Sequence, residues 1–134
     1  MLRNLLLKGY GNEQRYNCSE KILYGANEVY NLGLGKETMK LAAGFGGGMG
    51  IENTCGALAA SVMVLSKLFV ENIASESDIK EITSEFLNRY KNEMKSVECA
   101  SLKKDYKNEE KGCHDVIIKA AEILDDIVTE RMQG

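Results

Sequence analysis

The stretch from Thr54 to Val70 constrains the fold more than any other. Ala57, Leu58, Ala59, Ala60, Val62, Met63, Val64, Leu65, Leu68 and Phe69 make a helix there apolar on nearly every side. Such a helix must be packed on several faces, so it is expected at the centre of a bundle. Ser61, Ser66 and Lys67 interrupt it and it is too short to span a bilayer, so no membrane insertion is expected. Directly before it lies Gly44-Phe45-Gly46-Gly47-Gly48-Met49-Gly50, which holds five of the 13 glycines. Glycine at that density excludes regular helix and implies a tight loop where backbones approach closely.

The rest of the chain carries helical spacing without strand-like alternation, and it has no proline. An all-α single-domain bundle of about five to seven helices over residues 1–134 follows. A first helix is expected over Leu2–Lys8, ended by Gly9 and Gly11. A second should run over Cys18–Leu32, with Ile22, Leu23, Ala26, Val29 and Tyr30 on one side, stopped by Gly33 and Gly35. A short third fits Glu37–Ala43. After the central helix comes one over Asp78–Met94, with Ile79, Ile82, Phe86, Leu87 and Tyr90 inward. A brief turn is expected over Cys99–Leu102, and Lys103–Lys111, almost wholly polar, reads as a solvated loop. The last helix is expected over Cys113–Met132, burying Val116, Ile117, Ala120, Leu124, Ile127 and Val128. Asp125 and Asp126 would lie on its solvated face.

Formal net charge is −3, with no block of basic residues, so nucleic acid is not an expected partner. The opening Met-Leu-Arg-Asn-Leu-Leu-Leu-Lys lacks the long apolar region and cleavage site of a secretory signal, and a cytoplasmic location is expected. In that reducing compartment four cysteines are more often catalytic, redox-sensing or metal-bound than locked in static disulfides.

Each cysteine falls just after a helix start. Asn17 and Glu20 form a capping box before Cys18, Asn53 or Thr54 can cap a helix carrying Cys55, and Gly112 one carrying Cys113, while Cys99 follows Ser96. Free N–H groups at such ends favour thiolate, the form that attacks disulfides and binds soft metals. Cys18, Cys55 and Cys113 share stripes with core residues of their own helices, so the sulfurs converge if these helix starts meet.

The cysteines are dispersed, without a C-x-x-C pair, and neither a zinc ribbon nor a thioredoxin-type motif is present. The glycine loop lacks both G-x-G-x-x-G register and a following G-K-[ST]. What survives is a loop leading into a helix start, where Gly46, Gly47 and Gly48 are candidate anion or cofactor contacts. Close backbone approach to Cys55 or to another helix is the simpler use of these glycines. His114, the single histidine, is a candidate base or additional metal ligand beside Cys113, although neighbours on a helix diverge.

Asn17-Cys18-Ser19-Glu20, the stretch Gly44–Gly50, Cys55-Gly56-Ala57-Leu58-Ala59-Ala60, and the late Cys99 and Cys113 together resemble the redox-active family named for its C_GCAxxG_C_C pattern. The match runs from about Cys18 to Leu124. The motif's last glycine is Ala60 here, one small residue for another. The resemblance implies functional cysteines without naming a substrate. Through related electron-transfer domains it also implies an iron–sulfur alternative.

Three readings stand. The first is thiol–disulfide exchange, with Cys55 as attacking thiolate, Cys18 resolving it, and Cys99 and Cys113 as a second pair; a redox partner protein or small thiol would be the partner. The second is a binding module in which Cys18, Cys55, Cys99 and Cys113 hold a [2Fe–2S] cluster or one tetrahedral zinc. The third is a helical interaction domain whose cysteines merely pack. A homodimer fits the sequence as well as a monomer does.

Overall fold

The computed structural model describes residues 1–108 and 112–132. Its helices are α1 (Leu2–Leu7), α2 (Cys18–Val29), α3 (Lys36–Met39), α4 (Gly56–Phe69), α5 (Ile79–Met94), α6 (Cys99–Tyr106) and α7 (His114–Met132). Short 3-10 segments at Lys40–Phe45 and Ala74–Glu76 join them, and the described residues contain no strand beyond two isolated bridges. The all-α expectation holds. No helix among the described residues is long and apolar enough to cross a membrane.

Helix α4 is central, as its composition requires. It packs against α2 on one side and against α5 and α7 on others. Ala57, Leu58, Ala60, Val64 and Leu65 are fully buried along it, which removes apolar surface from water on more than one face. From α5, Ile79, Ile82, Phe86, Tyr90 and Met94 reach the same core at steps of three and four, and α7 adds Val116 through Val128. Helix α1 closes over α2 at Gly25, where a Cβ would lie 2.8 Å from Leu2 Cδ1.

Local chemistry sets the element ends. The capping box forms as expected: Asn17 Oδ1 accepts from the Glu20 amide and Glu20 Oε1 from the Asn17 amide, both at 2.9 Å. Helix α2 stops at Val29, three residues short of the expected Leu32, because Asn31 turns left-handed at φ 54°. Of the expected Glu37–Ala43 helix only the first part is α-helical; the rest tightens into the 3-10 segment.

Two expectations are overturned. Lys103–Tyr106 is helix, not solvated loop, while 109–111 of that expected loop lie outside the described residues. Leu102 is buried and Tyr106 packs one turn later, with the Tyr106 hydroxyl donating to the Met94 carbonyl at 3.2 Å. That apolar pair at a spacing of four outweighs the polar composition around it. Asp126 is exposed as expected, but Asp125 is not idle on a solvated face. Its carboxylate accepts from the Leu2 and Arg3 amides, each at 2.9 Å, and from the Tyr30 hydroxyl at 2.5 Å. The first amides of α1 need acceptors from outside that helix, and Asp125 on α7 supplies them.

Candidate functional site

All four cysteines lie at helix starts. Cys18 and Cys99 are the first residues of α2 and α6, Cys55 is the N-cap of α4, and Cys113 directly precedes α7. The caps differ in part from expectation. Cys55 takes the position expected of Asn53 or Thr54. Glu98 is the N-cap before Cys99, and Ser96 accepts the Glu98 amide at 3.0 Å.

Two short backbone pairings gather these ends. Thr54 and Glu98 form an antiparallel bridge in which the Cys55 amide donates to the Val97 carbonyl at 2.9 Å and the Cys99 amide to the Asn53 carbonyl at 2.6 Å. Successive residues of an extended pair face opposite sides, so Cys55 and Cys99 share the face opposite Thr54 and Glu98. The second bridge joins Asn108 and Gly112, next to Cys113.

The glycine loop wraps over this end. Gly47, Gly48, Met49 and Gly50 are left-handed in succession, with φ of 66°, 61°, 63° and 77°. A Cβ on Gly46 would collide with Asn17 Nδ2, and one on Gly48 would lie 2.7 Å from Cys99 Cβ. A Cβ on Gly56 would run into the Phe45 carbonyl oxygen and stand 2.9 Å from Cys18 Sγ. The loop is fastened to α2 as well: Asn17 Nδ2 donates to the Ala43 carbonyl at 3.0 Å and the Ser19 hydroxyl to the Ala42 carbonyl at 2.7 Å. Close approach, the simpler use of these glycines, is what Gly46, Gly48 and Gly56 provide.

These pairings bring the helix starts near one another, and Cys55 feels the charge of Cys18 and Cys99, Cys99 that of Cys113 and Cys18. Cys18 acts on Cys55, Cys99 and Cys113 alike. For Cys55, Cys99 and Cys113 burial is the largest influence on acidity. The Cys55 thiol, 4% exposed, is pushed up to about 12 by burial first and by Cys18 next, with the Ala57 and Leu58 amides opposing. Burial also raises Cys99, against which the Lys103 charge works, while Cys113, Cys18 and Glu52 add to the rise. Cys113, half-buried, is raised by burial and drawn down by Lys107, then raised by Cys18 and drawn down by Lys103. At Cys55 desolvation outweighs the pull of the helix-start amides.

Two measurable consequences follow for Cys55. At about pH 8 it should resist iodoacetamide in the folded protein while Cys18 and Cys113 react, becoming alkylated only on unfolding; peptide mapping by mass spectrometry checks this. Its folded pKa lies above the ordinary 9.0, so its contribution to stability is fully present below pH 9 and is lost as pH rises from about 9 to about 12. Alkaline unfolding midpoints of Cys55→Ala should fall less steeply across that window than those of the parent.

The lysines beside the thiols escaped the sequence reading, which placed them in a loop. Lys103 stands one turn after Cys99 and pairs with Glu52 at 3.0 Å. Lys107 caps α6 one turn later. The recurrence Cys99, Lys103, Lys107 at steps of four was the available signal. Tyr90, read only as core, is a buried phenol beside Cys55 and Cys113 whose hydroxyl donates to the Val116 carbonyl at 3.1 Å. The charges that move Cys113 come from Lys107, Cys18 and Lys103 rather than from His114, its half-buried neighbour in sequence.

All four cysteines are free thiols. Among the described residues no three Cys, His, Asp or Glu side chains gather closely enough to hold a metal ion.

Comparison with known proteins agrees with the cysteine pattern. The family described as "Putative redox-active protein (C_GCAxxG_C_C)" matches residues 16–127, a span that includes every cysteine and the glycine loop. No curated protein and no solved structure matches. With a match that covers most of its length and all four thiols, the chain belongs to the C_GCAxxG_C_C family.

Proposed function

We propose that this protein carries out thiol–disulfide exchange through its four clustered cysteines. The observation that carries the reading is the position of Cys18, whose charge acts on all three other thiols and whose sulfur packs against Gly56, next to Cys55. Burial argues for an order different from the one helix position favours. Cys55 and Cys99 are buried, whereas Cys18 and Cys113 are half-buried and reach solvent. In the proposed reaction the Cys113 thiolate attacks a substrate disulfide, forming a mixed disulfide and releasing one thiolate. Cys18 then attacks the Cys113 sulfur, closing a Cys18–Cys113 disulfide and releasing the second. The protein loses two electrons and the substrate gains them, and two protons pass from the protein thiols to the products. Cys55 and Cys99 form an inner dithiol able to reduce that disulfide by the same exchange. Free thiols fit a reducing compartment such as the cytoplasm.

Titration in buffers of reduced and oxidised glutathione, quenched with an alkylating mass tag, tests this. The parent should lose two tags in one step, and Cys18→Ser should instead hold a glutathione mixed disulfide on Cys113. Four thiols that stay reduced throughout would end the proposal. A [2Fe–2S] cluster or zinc on the same thiols would require at least three to close on one point. Stoichiometric iron or zinc after anaerobic purification would displace exchange in favour of that alternative.

A further inference from the structure

Asn108 and Gly112 exchange both backbone hydrogen bonds, Asn108 N–H to the Gly112 carbonyl at 3.2 Å and Gly112 N–H to the Asn108 carbonyl at 2.8 Å. The residues that flank this bridge on its outer side are Lys107, the C-cap of α6, and Cys113, just before α7. Cys113 therefore lies near Lys107, whose charge acts on it. Lys103, one helical turn earlier, faces the same thiol from α6.

The two lysines are not equally free. Lys103 is held by Glu52 at 3.0 Å. Lys107 is exposed and has no ion-pair partner among the described residues. An exposed lysine is ordinary; one whose backbone adjoins a solvent-reaching thiol and whose charge acts on it, on a chain of net charge −3, is not. Among the described residues, Cys18 from α2 and Tyr90 from α5 also act toward Cys113. Among the described residues, then, Lys107 is a cation without an ion-pair partner beside a thiol that reaches solvent.

Resting on the exchange reading, we infer that Lys107, with Lys103 behind it, forms a carboxylate-binding rim on Cys113, so that the site selects small anionic disulfides over neutral and cationic ones. A carboxylate two or three bonds from the attacked sulfur falls within reach of Lys107 when Cys113 meets the disulfide. The contact acts before and during attack, and it leaves with the departing thiolate. Lys107 is a binding group here, and the reacting atoms remain the sulfurs.

Three matched aliphatic disulfides test the inference on the reduced full chain: dianionic 3,3′-dithiodipropionate, neutral bis(2-hydroxyethyl) disulfide and dicationic cystamine. Rates at Cys113, read by mass spectrometry, are normalised to those of a small uncharged thiol. The dianion should be favoured over the dication by about tenfold at low ionic strength, shrinking to near unity in about 1 M salt. Lys107→Gln should remove most of that preference, Lys107→Glu should invert it, and Lys107→Arg should keep it. Normalised rates that are equal for the three probes, or a preference untouched by Lys107→Gln, would overturn the inference while leaving exchange intact. A Cys113 that reacts with none of the three would overturn the exchange reading itself, and this inference with it.

Discussion

Gly48→Ala is expected to destabilise the protein by about 3–5 kcal/mol, whereas Gly47→Ala, one residue earlier, should cost only about 1–2 kcal/mol. Both positions are left-handed, at φ 61° and 66°, so both substitutions carry the backbone penalty. They differ in what surrounds them. Nothing lies within 4 Å of a Cβ on Gly47, while one on Gly48 would meet Asn53 N at 2.6 Å, Asn53 O at 2.7 Å and Cys99 Cβ at 2.7 Å. Backbone atoms cannot rotate aside. Asn53 N–H donates to the Gly48 carbonyl, and the Asn53 carbonyl accepts the Cys99 amide, so moving Asn53 breaks the pairing that holds Cys55 beside Cys99. Urea unfolding should separate the two variants. Alkylation of Cys99 in the folded state should rise in Gly48→Ala and stay at the parental rate in Gly47→Ala. Equal stabilities would mean that the turn does not bear on the thiols as described.

Asp125→Asn should lower stability by about 2–4 kcal/mol, or Tm by roughly 10 °C, although the side chain keeps its shape. One carboxylate oxygen accepts from Leu2 N–H and the Tyr30 hydroxyl, the other from Arg3 N–H. The amide must turn an NH2 group toward one of those donors, leaving a donor facing a donor. Tyr30→Phe removes a single bond from the same group and should cost about 1 kcal/mol. The double variant should fall short of the sum, because both changes act on one carboxylate. Thermal melts of the three proteins decide it. Asp125→Asn melting at the parental temperature would show that α1 is not anchored through α7.

Helices whose signals are local were legible in the sequence. The Asn17–Glu20 capping box, the all-round apolar α4 and the inward stripe of α5 each formed where residue type and spacing put them. The family, too, was legible, because its cysteines and glycines can be recognised residue by residue. The failures have one character. Asp125 looked solvated because its partners Leu2 and Arg3 lie at the far end of the chain. The end of α6 looked like loop because Leu102 and Tyr106 find their burial and the Met94 carbonyl only after the helices assemble.

For the thiols the division is sharp. Residues read one after another placed each cysteine at or beside a helix start, with the cap itself as read at Asn17, since capping acts over three or four residues. Tertiary structure alone decided what kind of thiol each became. Desolvation depends on what packs around a sulfur, and it raised Cys55 to about 12 against the pull of its own helix amides. The pairing of Thr54 with Glu98 set Cys55 and Cys99 on one face, and that of Asn108 with Gly112 tied the end of α6 to the start of α7. The Thr54–Glu98 pairing joins distant segments through hydrogen bonds that no local pattern of residues encodes.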